Sequence, residues 1–233
     1  DVDLLKAVMP LATINLKSER EEFIKEKLKN YPNCLKYRDK HPLTFKLLDV
    51  PIMAGLNHNR FTFTDSDIIY LKNCEDYFNQ DRNTHLTTDG IKISVKLQHA
   101  LLKYNWKIPF QFNSGYFSFG LKDYDLDFIE YFLGLKKITN MPWLFEQTCW
   151  GLLFSSAGKS HVPNKNQFAC EENFSGANNE TLAIHLIADL KKHYKEWSSE
   201  HQNEVSIFTG VKFHQSRNIN YLDWAKKVIK RFL

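Results

Sequence analysis

Four pairs of aspartates in this sequence are spaced one residue apart: Asp1 and Asp3, Asp65 and Asp67, Asp123 and Asp125, and Asp125 and Asp127. Three of the pairs read as structural; Asp123, Asp125 and Asp127 look like the solvated start of a helix, where acidic side chains meet the positive end of the dipole. Asp65 and Asp67 differ, because the apolar and β-branched run Arg60-Phe61-Thr62-Phe63-Thr64 leads into them and Ile68-Ile69-Tyr70-Leu71 follows. At a strand or sharp strand end, residues i and i+2 project to one side, so two carboxylates can face one cation. Burying two unpaired carboxylates costs several kcal/mol or forces one to keep its proton, and a divalent cation removes that conflict. Hard oxygen ligands favour Mg2+ or Mn2+ over zinc. From these residues alone, two readings stand: a cation site, or a hydrogen-bonded turn.

The surrounding periodicities predict the elements that would hold such a site. Leu16 to Asn30 reads as an amphipathic helix with Phe23, Ile24 and Leu28 on its apolar face. Leu43 to Leu56 reads as a partly buried helix, with Pro51 a point of breakage. Alternation over Arg60 to Thr64 predicts a strand. Phe110 to Phe119 predicts a second strand, kinked at Gly115. Ile91 to Tyr104 begins like a strand and ends like a helix. Short helices are expected over Asp123 to Leu133 and Trp143 to Phe154, the latter carrying Glu146 and Gln147, with a polar loop over Ser155 to Asn179. A strand over Leu182 to His185, a helix over Ile187 to Trp197, a strand near Val205 to Phe208 and a helix over Tyr221 to Phe232 complete the chain. Helices interleaved with short strands predict an α/β layered fold rather than a bundle.

The 233 residues suffice for one full-sized core, and the composition, 43% hydrophobic and 25% charged, is that of a globular chain. A net charge of +4 spread over 31 basic and 27 acidic residues lacks the clustered basic face of a nucleic-acid binder. Cys34, Cys74, Cys149 and Cys170 have no paired metal-ligand spacing, so reduced thiols in a cytoplasmic protein are expected. No apolar run reaches the ~18–20 residues that span a bilayer, and no secretion signal is visible. The sequons at Asn173 and Asn179 carry little weight without one. An aspartate at position 1 is what a trimmed or processed chain would show.

Several of these segments occur in an order that resembles a known family. The segment 44–49 (TFKLLD), a short helix and the run from Arg60 to Tyr70 resemble the core of the GT-A glycosyltransferases, in which a lysine-bearing helix precedes a strand ending in an Asp-x-Asp metal motif. Phe112-Asn113-Ser114-Gly115 is similar to the strand lining that family's donor and acceptor cleft. Trp143 to Thr148 resembles its acidic, glutamine-containing helix start, and Ala183-Ile184-His185 its late strand bearing a metal-binding histidine. The likeness covers about Thr44 to Trp197.

The resemblance implies one glycosyltransferase-like domain over residues 1–233, with a core at about 44–197 and a C-terminal strand and helix extension at 198–233. Its fold would be a mixed sheet flanked by helices. The strand–helix–strand unit that usually opens such domains is either incomplete here or supplied by a divergent strand over Leu11 to Leu16. The implied activity is transfer of a hexose from a UDP- or GDP-sugar to an acceptor, with Mn2+ or Mg2+ held by Asp65, Asp67 and His185. His214, in Phe213-His214-Gln215-Ser216-Arg217, is the alternative histidine. Lys46 would lie near the diphosphate or ribose, unless it is a surface lysine. Asn113, Ser114 and Gly115 would line the sugar site, unless they form only a β-bend. Glu146 would activate the acceptor or stabilise the sugar cation, its pKa raised among aromatic neighbours, unless it serves as a helix cap. Gln147 would orient the sugar. Arg217, with Lys212, would neutralise phosphate, unless both belong to a solvated face. The alternatives to catalysis by a transferase are a degenerate, non-catalytic sugar- or nucleotide-binding or interaction module, and a metal-dependent phosphohydrolase built on Asp65 and Asp67.

Overall fold

The structure, a computed structural model, describes residues 2–74, 81–87, 112–135, 145–158, 160–163, 167–169 and 180–186. Expectations for Ile91 to Tyr104, Cys170, the sequon asparagines Asn173 and Asn179, Trp143, the helix over Ile187 to Trp197, Lys212, His214, Arg217 and the whole C-terminal extension lie outside these residues. Among the described residues, no helix is long and apolar enough to cross a membrane.

Five helices precede the first strand: α1 (Val2–Val8), α2 (Lys17–Leu28), α3 (Pro32–Lys40), α4 (Leu43–Leu47) and α5 (Asp49–Ala54). As the periodicity predicts, α2 buries Ile24 and Leu28. Residues 11–16 form no strand, and Leu11 is 99% exposed. Without buried side chains or a partner edge, nothing holds that segment extended. Helix α3 begins with a proline, whose missing N–H costs nothing there. Its next two N–H groups, of Asn33 and Cys34, donate to the Glu130 carboxylate at 3.0 and 2.9 Å.

The expected helix over Leu43 to Leu56 is divided at Leu48, three residues before the proline. Pro51 has no N–H to offer the Leu47 carbonyl, so α4 cannot propagate through it. That carbonyl instead accepts the Tyr124 hydroxyl at 2.8 Å. Pro51 then fits within the first turn of α5. The buried Arg38 guanidinium ties α2, α3 and α5 together: it donates to Asp49 at 2.8 and 3.0 Å and to Glu21 at 2.9 and 2.8 Å. Full pairing of this kind is what makes a buried arginine tolerable.

Strands β1 (Arg60–Thr64), β2 (Ile68–Tyr70), β3 (Thr84–Thr87) and β4 (Phe112–Gly120) follow. Next come a 3-10 turn (Leu121–Asp123), α6 (Leu126–Gly134), α7 (Phe145–Ser156), β5 (Phe168–Ala169) and β6 (Ala183–His185). Helix α6 starts later than Asp123; Asp125 is its N-cap, accepting the Phe128 N–H at 2.9 Å. The stretch expected to be loop after Ser155 contributes β5.

The α/β class holds, with the described strands in two sheets of three, ordered β1-β4-β3 and β2-β6-β5. Only the β5–β6 pair is parallel. Strand β4 is central to the first sheet and buried at every position. Its register against β3 slips: His85 pairs with Phe117 but the next residue, Leu86, pairs with Asn113. The bulge over residues 114–116 inverts the alternation of β4. Phe112, Phe117 and Phe119 therefore all reach Phe154 of α7, with ring centroids 5.1, 5.9 and 4.7 Å away. Trp150 packs on the same face, 4.6 Å from Phe117. Tyr116 instead stacks at 5.3 Å on Phe168 of the second sheet, in a smaller cluster with Leu86 and Ala183.

Candidate metal and carboxylate site

The seam between the two sheets is where Asp65-Ser66-Asp67 lies. Asp65 extends the β1–β4 ladder by one bond, its N–H donating to the Gly115 carbonyl at 2.7 Å. The chain then turns, with Ile68 N–H reaching the Asp65 carbonyl at 3.2 Å, and enters β2 of the other sheet. The two carboxylates thus converge across a turn rather than along one strand. The Asp67 carbonyl accepts the Leu186 N–H at 2.9 Å, which brings the end of β6 alongside.

His185 ends β6 and turns Nε2 towards both acids, 3.2 Å from Asp67 Oδ1 and 3.8 Å from Asp65 Oδ2. One ligand atom from each of Asp65, Asp67 and His185 lies within 4.8 Å of the others. Bonds of about 2.1 Å in an octahedral shell separate ligand atoms by about 3–4.2 Å, so small side-chain rotations close this set on one divalent cation. Two carboxylates with an imidazole suit Mn2+ better than Mg2+, which prefers oxygen throughout.

Glycine at position 115 makes room for the histidine. A Cβ there would sit 2.2 Å from His185 Cε1 and 2.5 Å from Nδ1. The Asn113 side-chain oxygen Oδ1 braces the same bulge, accepting the Gly115 N–H at 2.7 Å. Gly115→Ala is expected to displace the imidazole and weaken Mn2+ binding roughly 10–100-fold while the protein stays folded. Titration calorimetry reads this directly, and an unchanged affinity would remove His185 from the ligand set.

Lys46 is no surface lysine. At 7% exposure it points inward from α4, its ammonium 3.1 and 3.3 Å from the Asp65 oxygens and 3.2 Å from Ser114 Oγ. The Phe63 ring supports it, with the ammonium 4.3 Å from the ring centroid. Phe63 and Asp65 stand two apart at the end of β1, which puts the ring and the carboxylate on the side that Lys46 meets.

Glu146, in the first turn of α7, is 2% exposed. Its carboxylate faces inward: Oε2 accepts the Ser114 hydroxyl at 3.1 Å, and Oε1 lies 3.9 Å from Lys46 Nζ with no hydrogen-bond partner among the described residues. Burial pushes its carboxyl up to about 7, and Asp65 adds to the rise against the opposing pull of Lys46 and the Ser114 hydroxyl. Gln147 turns its side-chain oxygen to the Ser114 N–H at 3.4 Å.

The structure therefore gathers Lys46, Asp65, Asp67, Asn113, Ser114, Gly115, Glu146, Gln147 and His185 into one locality, drawn from α4, the β1–β2 turn, β4, α7 and β6. His214 and Arg217, the remaining candidates, lie outside the described residues. Three carboxylates face one ammonium and one imidazole, an acidic surplus that a divalent cation offsets. No protein-family model matches the chain, and no curated protein matches it.

Proposed function

We propose that this chain is a metal-dependent glycosyltransferase of the GT-A type, moving a hexose from a UDP- or GDP-sugar to an acceptor. One observation carries the reading: the Asp65, Asp67 and His185 cluster is joined through Lys46 to a buried carboxylate, Glu146, poised to exchange a proton near neutral pH. Mn2+ or Mg2+, which Asp65, Asp67 and His185 would hold, would supply positive charge to offset that arising on the departing diphosphate. The finer fold assignment, a GT-A sheet with its opening unit reduced, belongs to the same proposal.

Within it the chain's own residues divide the work. Asp65, Asp67 and His185 Nε2 hold the cation. Gly115 lets His185 lie against β4. The acceptor hydroxyl forms its bond to the anomeric carbon as the bond from that carbon to the diphosphate oxygen breaks, and the hydroxyl proton passes to Glu146. That step needs Glu146 ionised, so the rate is expected to rise with pH through about 7. Lys46, fixed between Asp65 and Glu146, keeps the two carboxylates from repelling one another as the cation and donor arrive.

A second reading is favoured by one feature: among the described residues no strand precedes Arg60, so no strand–helix–strand unit stands ready for a nucleotide base. On that reading the chain is a degenerate sugar- or nucleotide-binding module. Thermal unfolding with Mn2+, with UDP or GDP, and with both together separates the two. A transferase is stabilised by metal and nucleotide jointly, beyond the sum of their separate effects. A degenerate module shows no such joint stabilisation, and a phosphohydrolase responds to metal without requiring nucleotide.

A further inference from the structure

Ser114 is the residue on which three parts of the site meet. The slipped register leaves residues 114–116 without partners on β3, which turns the Ser114 N–H towards Gln147 and its hydroxyl towards Lys46 and Glu146. A serine hydroxyl has one proton to donate and two lone pairs. An ammonium can only donate, so at 3.2 Å Lys46 must give its hydrogen to Ser114 Oγ. The single hydroxyl proton is then committed to Glu146 Oε2 at 3.1 Å. The direction of both bonds is fixed by Lys46. Those two bonds, to Lys46 and to Glu146, occupy the Ser114 hydroxyl within the protein.

We infer that Ser114 is a positioning residue that selects which oxygen of Glu146 exchanges a proton, holding Oε2 as an acceptor and leaving Oε1 to take the proton from the acceptor hydroxyl. This rests on the reading of Glu146 as the proton-accepting carboxylate of glycosyl transfer. The orphaned state of Oε1 supports it: it is the one buried carboxylate oxygen here without a hydrogen-bond partner among the described residues. Among the described residues, the groups that act on Glu146 are Lys46 from α4, Asp65 from the β1–β2 turn, Ser114 from β4 and, on α7 itself, the buried Cys149 thiol. Of these, only Ser114 donates a hydrogen bond to it, at Oε2, while the Lys46 ammonium stands 3.9 Å from Oε1. Ser114 thereby differs from a sugar-binding serine, whose loss would weaken donor binding and leave Glu146 undisturbed.

The test uses the whole chain and two measurements. In metal-free protein carrying 13C-carboxyl glutamate, the Glu146 titration is followed by NMR in wild type, Ser114→Ala and Ser114→Thr. Losing the hydroxyl removes a bond that favours the ionised form, so the Ser114→Ala midpoint is expected about 1 pH unit higher, with Ser114→Thr restoring the wild-type value. With Mn2+ and a panel of UDP- and GDP-sugars, Ser114→Ala is expected to lower kcat for donor turnover by about tenfold or more with KM held. An unchanged midpoint in Ser114→Ala overturns the inference, as does a raised KM with kcat intact. Should Ser114→Ala fail to fold, Ser114→Cys keeps the volume, weakens the donor and is read in the same way. Wild type that turns over no donor and ignores Mn2+ sinks the glycosyltransferase reading, while the NMR midpoint still judges the bridge.

Discussion

Glu146→Gln is expected to give a protein more stable than wild type at pH 8, equally stable near pH 4 and, on the proposed function, strongly impaired in turnover. The sign follows from proton linkage. The folded state raises the Glu146 carboxyl from 4.5 to about 7, so below pH 4.5 folded and unfolded chains both carry the proton and the group has no effect. Between the two values the folded chain holds a proton that the unfolded chain has lost, and stability declines as pH rises. Above about 7 the buried carboxylate is charged, and the loss levels off at about 3 kcal/mol. Glutamine stays neutral throughout and its carbonyl still accepts the Ser114 hydroxyl, so the variant escapes that loss. For a chain of this length the difference is about 6–12 °C in Tm at pH 8, shrinking to nothing at pH 4. Thermal melts across that range check it. On the proposed function, the same substitution removes the proton acceptor and lowers turnover by about 10²–10⁴-fold. A gain in stability coupled to a loss of activity is the signature of a residue kept for chemistry rather than for folding.

Asp67→Asn is expected to abolish the response to metal and leave the fold intact. The asparagine carbonyl keeps an acceptor for His185 Nε2, now 3.2 Å from the Asp67 oxygen, so the seam between β2 and β6 persists. What is lost is a charged ligand atom, which weakens Mn2+ binding by on the order of 100-fold or more. At a concentration 100 times the wild-type Kd, metal stabilises the native protein by about 2.7 kcal/mol, against about 0.4 kcal/mol for a variant bound 100-fold more weakly. In thermal unfolding that is a rise of about 5–10 °C against about 1 °C. A variant that keeps the full rise shows that Asp67 is not a ligand.

Much of the frame was legible in the sequence because its signals are local. The alternation of Arg60 to Thr64 marks β1, the apolar face of Phe23, Ile24 and Leu28 marks α2, and the flanking β sequence singles out Asp65 and Asp67 from the other aspartate pairs. What stayed hidden depends on contacts between distant segments. Pro51 signalled a helix break, but its position at Leu48 is tied to Tyr124 taking the Leu47 carbonyl. The start of α3 is satisfied by Glu130, 97 residues from Asn33. Alternation alone would put Phe112 and Phe117 on opposite faces of β4, and only the bulge aligns them. In the site, the two acids were recognisable as a pair, yet the turn between two sheets that joins them was not. His185 entered only through the order of motifs, since a histidine in an apolar strand says nothing of what it faces. The inward course of Lys46 is set by partners 19 and 68 residues away, beyond the reach of any local pattern.

The central claim is that Asp65, Asp67 and His185 hold one divalent cation which in turn holds a diphosphate. Crystals grown with Mn2+ and UDP, measured at the manganese absorption edge, test it most directly. The account predicts a single anomalous peak within about 2.3 Å of an oxygen of each aspartate and of His185 Nε2, with diphosphate oxygens completing the shell. Manganese bound elsewhere, or an Asp65–Asp67–His185 cluster that keeps its direct contacts with no peak between them at saturating metal, would contradict it.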